Sequence, residues 1–272
     1  WDKTTVREYD DVVAEAKRLR KKVHFGMIFG ICGEKGSELP EGSPDRKFKG
    51  RYVFQGDQVR DEYRQAALFE ELSSAPATLE ASKAVDALGL VDGNDCQTCD
   101  AEQAYVQAKL GGTETWVSLP KERQPADWAK YRRPVCQLKL ALYGHPDSGG
   151  YWEAHCAKHL TSQGFKAVKN WPSVFYHPTY KLLLMVYVDD FKMSGPKRNL
   201  AKGWEMIRSG ITTDDPKPVG KCLGCDHKIV CRKVNGKMVK EMEYNMGSFM
   251  KQCVASYLKL SHQTEKVLRK AS

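Results

Sequence analysis

Leu182-Leu183-Leu184-Met185-Val186-Tyr187-Val188-Asp189-Asp190-Phe191 is the stretch on which the fold turns. Its unbroken apolar run is rich in β-forming residues and predicts a strand buried on both faces. Two adjacent carboxylates follow where the run stops. An unpaired buried charge costs on the order of several kcal/mol, so the fold must give this pair water, cations or a bound metal. Taken alone, the stretch also fits a hairpin with Asp at its tip. The residues upstream decide between these readings.

The chain has 272 residues, enough for one large domain or two small ones around a sizeable core. Its 41% hydrophobic and 10% aromatic content is that of a globular protein and excludes a disordered one. Lys and Arg outnumber Asp and Glu 43 to 34, a net charge of +9 that favours a polyanionic partner, nucleic acid first. No apolar run approaches the roughly 20 residues of a membrane span. The start, Trp1-Asp2-Lys3, has no signal-peptide pattern, and the chain reads as a piece of something longer. Nine scattered cysteines predict reduced thiols in the cytosol or nucleus rather than a disulfide framework.

Along the chain, residues 6–20 carry Val12, Val13, Ala16 and Leu19 at helical spacing. His24 to Cys32 predicts a strand and Glu34 to Pro44 a loop. In Arg46–Gly56, Lys47, Lys49 and Arg51 alternate with other residues, so a strand would put three cations on one face. Ser74 to Leu88 predicts a helix with Pro76 in its first turn and Leu79, Val85 and Leu88 inward. Strands are expected over Cys96–Val106, Thr115–Leu119 and Val135–Leu138, with residues 121–134 a polar loop. A helix holds Trp152, Cys156 and Leu160 and ends at Gly164. Val174–Tyr176 pairs with the opening strand, Leu200, Trp204, Ile207 and Ile211 mark a helix, and 228–243 form a hairpin turning at Asn235-Gly236. A helix over 244–260 closes an α+β plan with adjacent strands.

Asp100-Ala101-Glu102-Gln103-Ala104-Tyr105 adds a third acid. Magnesium takes one or two carboxylates plus substrate phosphates, and two such ions stabilise both oxygens of an in-line phosphoryl displacement. On residues alone Asp100 is one acid among many. The motifs together say more. Tyr187-Val188-Asp189-Asp190 resembles the YxDD box of reverse transcriptases, and Asp100 with Tyr105 resembles their earlier motif. Leu138-Lys139-Leu140-Ala141-Leu142-Tyr143-Gly144 followed by Trp152 is similar to LKKALYGLKQAPRAW. Lys49-Gly50-Arg51 with Val53 and Gly56 resembles KARLVAKG, Ser173 with Phe175 fits DPSLF, and Leu223-Gly224 fits FLGI. Order and spacing match over about residues 44–230, a resemblance to the reverse transcriptase of copia-type LTR retrotransposons.

The resemblance implies a right-hand polymerase with an antiparallel palm sheet and a partial thumb. Residues 1–95 would form the fingers and N-terminal region, 96–230 the palm with inserted elements, and 231–272 the start of the thumb or connection. It implies that Asp100 and Asp189 hold two Mg²⁺ ions (or Mn²⁺), with Asp190 beside them as the third catalytic acid. Tyr105 would select deoxynucleotides, which requires the backbone to bend just after Asp100. Arg51 and Lys49 would grip the triphosphate, and Tyr143 and Gly144 would line the nucleotide and template side. The implied partners are a primer on an RNA or DNA template and deoxynucleoside triphosphates, with RNase H and integrase parts elsewhere in a polyprotein.

This chain departs from the pattern after Gly144, where His145-Pro146-Asp147-Ser148-Gly149-Gly150-Tyr151 lacks two expected cations. That departure, with the chain's end at Ser272, motivates a second reading: a catalytically decayed remnant that keeps the fold and nucleic-acid binding. Cys222, Cys225, His227 and Cys231 offer four zinc-capable ligands in ten residues, which motivates a third reading as a zinc module, but their spacing fits no usual knuckle. Cys96 and Cys99 read as buried thiols, and His155 with His159 as a solvated helix face. Lys217 or Lys221 is a candidate acid for the leaving pyrophosphate.

Overall fold

A computed structural model describes residues 1–36, 41–44, 46–69, 75–265 and 267. The first elements in chain order are β1 (Asp2–Glu8), α1 (Tyr9–Leu19), β2 (Val23–Lys35), β3 (Lys47–Phe54), α2 (Leu79–Gly89) and β4 (Asn94–Asp100). Then come β5 (Glu114–Ser118), β6 (Pro134–Gln137), α3 (Ser148–Ser162), β7 (Lys166–Ala167), β8 (Val174–His177), β9 (Leu182–Tyr187) and β10 (Asp190–Pro196). The last are α4 (Lys197–Arg208), β11 (Lys217–Pro218), β12 (Lys221–Cys222), β13 (Cys225–Val234), β14 (Lys237–Asn245) and α5 (Gly247–Ser261).

The chain divides into two compact units that interleave along the sequence. The first comprises Trp1–Pro76, Ala101–Gly164 and Ile207–Thr212, and the second Ala77–Asp100, Phe165–Met206 and Thr213–Ser272.

The first unit is built on a five-stranded sheet of order β1-β6-β5-β2-β3. Only β2 and β5 run parallel, pairing Val23 with Glu114 through Met27 with Ser118. Ile28, Phe54, Val117, Trp128, Cys136 and Leu142 are buried together on it. α1 starts with Asp10 and Asp11 in its first turn, ends with Lys17 and Arg18 in its last, and is stopped by Arg20 at φ 51°. These charges oppose the helix dipole's end charges, and a left-handed residue is a common helix stop. The helix forms over Tyr9–Leu19 and not from residue 6, because Arg7 and Glu8 pair with Val135 and Pro134 as part of β1.

The second unit holds a six-stranded sheet, β11-β4-β10-β9-β8-β7, and a three-stranded sheet, β12-β13-β14. Every pairing in both is antiparallel. β9 is the predicted strand, with Leu182, Leu184, Met185 and Val186 buried. Alternation sends Met185 with Leu183 against Ala81 and Val85 of α2. On the other face Gly203 of α4 approaches so closely that a Cβ there would lie 2.6 Å from Leu182 Cδ1 and 2.7 Å from Met193 Cε. Helices on both faces explain why the run is continuously apolar. The predicted pairing of β8 with β9 is present, as is the Asn235-Gly236 turn, whose φ values of 48° and 81° suit a two-residue hairpin.

Several expectations need correcting. α2 begins at Leu79 with Thr78 as its cap, so Pro76 precedes it, and Ser74 lies outside the described residues. Leu79 is exposed and Leu88 half-buried, because the inward face carries Ala81, Ser82, Val85 and Asp86. The strand expected over Cys96–Val106 stops at Asp100, and Ala104–Gln107 is a 3₁₀ turn. Ile211 lies beyond the end of α4, and β2 runs on to Lys35 into the expected loop, of which residues 37–40 are outside the described ones.

Candidate active site

β9 and β10 form a hairpin joined by Val188 and Asp189. Val188 sits at φ 56°. A positive φ at the first central position lets a two-residue turn follow the strand twist, and it costs a β-branched residue about 1–3 kcal/mol. The turn exposes Asp189 at its tip and returns the chain at Asp190. So the hairpin with an acidic tip and the acid cluster are one structure.

On the far side of β10 lies β4, with Asp100 as the register partner of Asp190. Both acids therefore end their strands side by side. Burial raises the Asp190 carboxyl to about 7, helped by the charges of Asp100 and Asp189 and by a hydrogen bond with the Asp100 side chain. Three acids this close need a shared proton or a cation. Among the described residues no group of three or more His, Cys, Asp and Glu is gathered closely enough to hold a metal ion by itself. Carboxylate oxygens are the ligand type that magnesium takes, in ones or twos alongside substrate phosphates and water.

Asp214 fixes this strand end and was not singled out in the sequence. Its Oδ1 accepts from the Asp100 backbone N–H at 2.7 Å, its own N–H donates to the Asp100 carbonyl at 2.9 Å, and Lys217 Nζ donates to its Oδ2 at 2.6 Å. The Asp214 hydrogen bond and charge hold Lys217 above its ordinary value. Asp214 is one of many exposed-looking acids in sequence, and only the fold brings it to Asp100.

Behind the acids, on the α2 face of the sheet, Lys192 is fully buried. Its Nζ donates to Ser82 Oγ at 2.8 Å and to both Asp86 oxygens at 2.9 Å, and lies 3.3 Å from His227 Nε2. The Tyr244 hydroxyl donates to Asp86 Oδ2 at 3.0 Å. Burial pushes Asp86 up, but His227 hydrogen bonding and the Lys192 charge outweigh it and hold the carboxyl below its usual value. Burial and the same carboxylate push the Tyr244 hydroxyl up. The network ties β10, two residues past Asp190, to α2 and to the β13–β14 hairpin. The sequence signal was the Ser82–Asp86 spacing of four, which puts both on the face of α2 that carries Val85.

His227 is thus engaged by Asp86 and Lys192, with its Nδ1 2.9 Å from the Cys225 carbonyl, and Cys231 is exposed. Cys96 and Cys99 are buried and not in disulfides, and the Cys96 thiol donates to Asp86 Oδ1 at 3.8 Å.

In the first unit, the rings of Tyr105 and Tyr143 meet at 4.5 Å between centroids, and the Arg51 guanidinium lies over Tyr143 at 5.6 Å. The chain turns sharply between Asp100 and Tyr105, with Gln103 at φ 49°, so the required bend is present. Gly144 has φ 91° and packs against the Phe54 carbonyl, where any side chain would collide, while Phe54 N–H donates to the Tyr143 carbonyl at 2.7 Å. Arg51, Tyr105, Tyr143 and Gly144 therefore come together. Lys49 shares the strand face of Arg51 two residues further out, opposite Gly33, and is exposed.

The divergent segment after Gly144 is structural. His145 is buried, with ring centroids 4.9 Å from Phe54 and 5.3 Å from Phe69, and burial lowers it to about 4. Ser148 Oγ donates to the Leu142 carbonyl at 2.8 Å and accepts from its N–H at 2.9 Å, closing the turn that starts α3. On α3, His155 and His159 do not form a solvated face. His159 Nε2 lies 3.0 Å from the Ile207 carbonyl, and His155 Nε2 is buried.

No helix among the described residues is long and apolar enough to cross a membrane. A family model described as reverse transcriptase (RNA-dependent DNA polymerase) matches residues 40–254 of the chain.

Proposed function

The chain belongs to the reverse transcriptase (RNA-dependent DNA polymerase) family, and from that membership we propose that it is the polymerase core of a copia-type retrotransposon polyprotein. It implies nucleotidyltransferase chemistry on a nucleic-acid template and primer with nucleotide substrates. The copia assignment is supported by the run Leu138–Gly144 with Trp152 and by Lys49–Gly56. The single observation that carries the catalytic reading is the register pairing of Asp100 with Asp190, one residue after Asp189.

In this reading the primer 3′-hydroxyl attacks the α-phosphate of a deoxynucleoside triphosphate in line, and pyrophosphate leaves. Two Mg²⁺ ions, when bound, would activate the hydroxyl and neutralise charge on the leaving oxygens. Asp100 and Asp189 would hold them, and Asp190 would share the load as the most proton-prone of the three. Asp214 keeps Asp100 aimed by gripping its backbone on both sides. Arg51 would offer its guanidinium to triphosphate oxygens, and Tyr105, its ring tilted against Tyr143, would bound the sugar side to exclude a 2′-hydroxyl. Residues 1–95 then serve as fingers, 96–230 as palm and 231–272 as the start of the thumb. The acids' place on an antiparallel sheet supports the palm reading. We place the protein inside the cell or its virus-like particles.

Primer extension with magnesium tests this. Asp100→Asn or Asp190→Asn is expected to lower the rate by two orders of magnitude or more, about 3 kcal/mol of barrier. Unchanged extension by both variants sinks the mechanism.

A further inference from the structure

A groove of about 380 Å³ opens in the first unit, lined by residues of α1, β2, β5 and β6, by the segment after β3 and by the segment between β5 and β6. No residue discussed above for nucleotide chemistry lines it. We propose that this groove is a second nucleotide-binding site, taking one phosphate-bearing base. Its volume is that of a small-ligand site. Three arginines, Arg60, Arg132 and Arg133, face a floor formed by the buried rings of Tyr9 and Phe25.

Each half of a nucleotide has a partner there. Arg133 lies over the Tyr9 ring with its guanidinium carbon 3.9 Å from the centroid, and Tyr9 in turn packs on Phe25 at 4.5 Å. An arginine plane held this way is a stacking platform for a base. Asp10 draws off part of the positive charge, pairing with Arg132 at 2.6 Å and Arg133 at 3.6 Å. Arg60 is exposed and, among the described residues, has no carboxylate within ion-pair range, so its guanidinium is left for a phosphate. Gln58, exposed on the rim, supplies an amide that can both donate to and accept from a base edge. The ligand can be a free mononucleotide or one residue of a single strand; the chemistry is shared.

The test is equilibrium binding of two probes, adenosine 5′-monophosphate and a fluorescent oligo(dA) eight-mer. Both are titrated in EDTA, so that metal-dependent binding at the acids is silent. Arg60→Glu is compared with Lys158→Glu, which makes the same change of net charge on an exposed turn of α3. Arg60→Glu is expected to weaken a probe by about tenfold or more, the loss of one charge-assisted phosphate contact, while Lys158→Glu weakens it by no more than about twofold. Loss of the eight-mer alone identifies a strand as the source, and loss of both probes a free nucleotide. Equal loss in the two variants, or no binding of either probe to the wild type, overturns the proposal. Circular dichroism confirms that Arg60→Glu folds. The readout is independent of extension, so this inference can fail while the polymerase reading stands.

Discussion

Lys192→Met is the most informative perturbation of the frame behind the acids. Methionine nearly conserves the side-chain volume, so the variant removes charge and hydrogen bonds without opening a cavity. Asp86 loses both 2.9 Å bonds to Nζ and keeps the Tyr244 hydroxyl and its contact with His227. Removing one partner of a buried pair costs about 3–5 kcal/mol, and the surviving Tyr244 and His227 contacts place the expected loss near the low end, about 3 kcal/mol. At this chain length that is a fall in melting midpoint of about 6–12 °C. Replacing Asp86 by Leu in the same chain removes the stranded carboxylate, and the double variant should return to within about 1 kcal/mol of the wild type. The pH dependence has a definite sign. A carboxyl held below its unfolded value contributes stability above the unfolded pKa and loses it as pH falls through the folded one. The gap between wild type and Lys192→Met should therefore be full at pH 7 and narrow below about pH 4. Urea titrations followed by circular dichroism at several pH values measure all of this. A single variant within about 1 kcal/mol of wild type, or two substitutions whose costs simply add, would refute the reasoning.

Other consequences are equally direct. His145 is held neutral by burial at about 4, so the unfolded chain binds its proton first as pH falls. This site alone should cost about 2 kcal/mol by pH 5 relative to pH 7, and His145→Gln should flatten that part of the stability profile. Gly144→Ala forces a Cβ into a left-handed position against the Phe54 carbonyl and should destabilise by about 2 kcal/mol or more, read as a lowered melting midpoint. Thiol titration with a chromogenic disulfide should show Cys32, Cys231 and Cys253 reacting fast, with all nine reacting only after unfolding. Burial pushes the Cys136 and Cys222 thiols up to about 11 and Cys156 to about 12, so rapid native reaction at these three would contradict the structure.

What the sequence made legible was what local physics decides. The apolar run of β9, the Asn235-Gly236 turn and the end of α3 at Gly164 each carry their cause within a few residues. The acids were legible as residues, and the need for a bend after Asp100 followed from strand alternation alone. What stayed hidden depends on partners far apart in the chain. Asp86 and Lys192 are 106 residues apart and Asp100 and Asp214 are 114 apart, and neither pairing leaves a local pattern. The inward face of α2 was misjudged for the same reason. Leu79 was expected in the core, but the inward face instead carries Asp86, paired with the buried Lys192 from β10. His145 likewise carried no local sign of burial, yet in the structure it packs against Phe54 and the segment opens α3.

The interleaving of the two units bears on how the chain is made. The first unit is not complete in sequence until Thr212, and the second begins at Ala77, before two segments of the first have been synthesised. The parallel pairing of β2 with β5 spans about ninety residues, a slow closure by its separation. A nascent chain emerging from the ribosome therefore has no stage at which one unit is finished and the other not begun. Domains that fold one after another during synthesis need a cut between them, and this chain has no such cut. Truncations placed between residues 77 and 206 should yield insoluble fragments, whereas an engineered split would have to respect all five crossings between the units, at 76/77, 100/101, 164/165, 206/207 and 212/213.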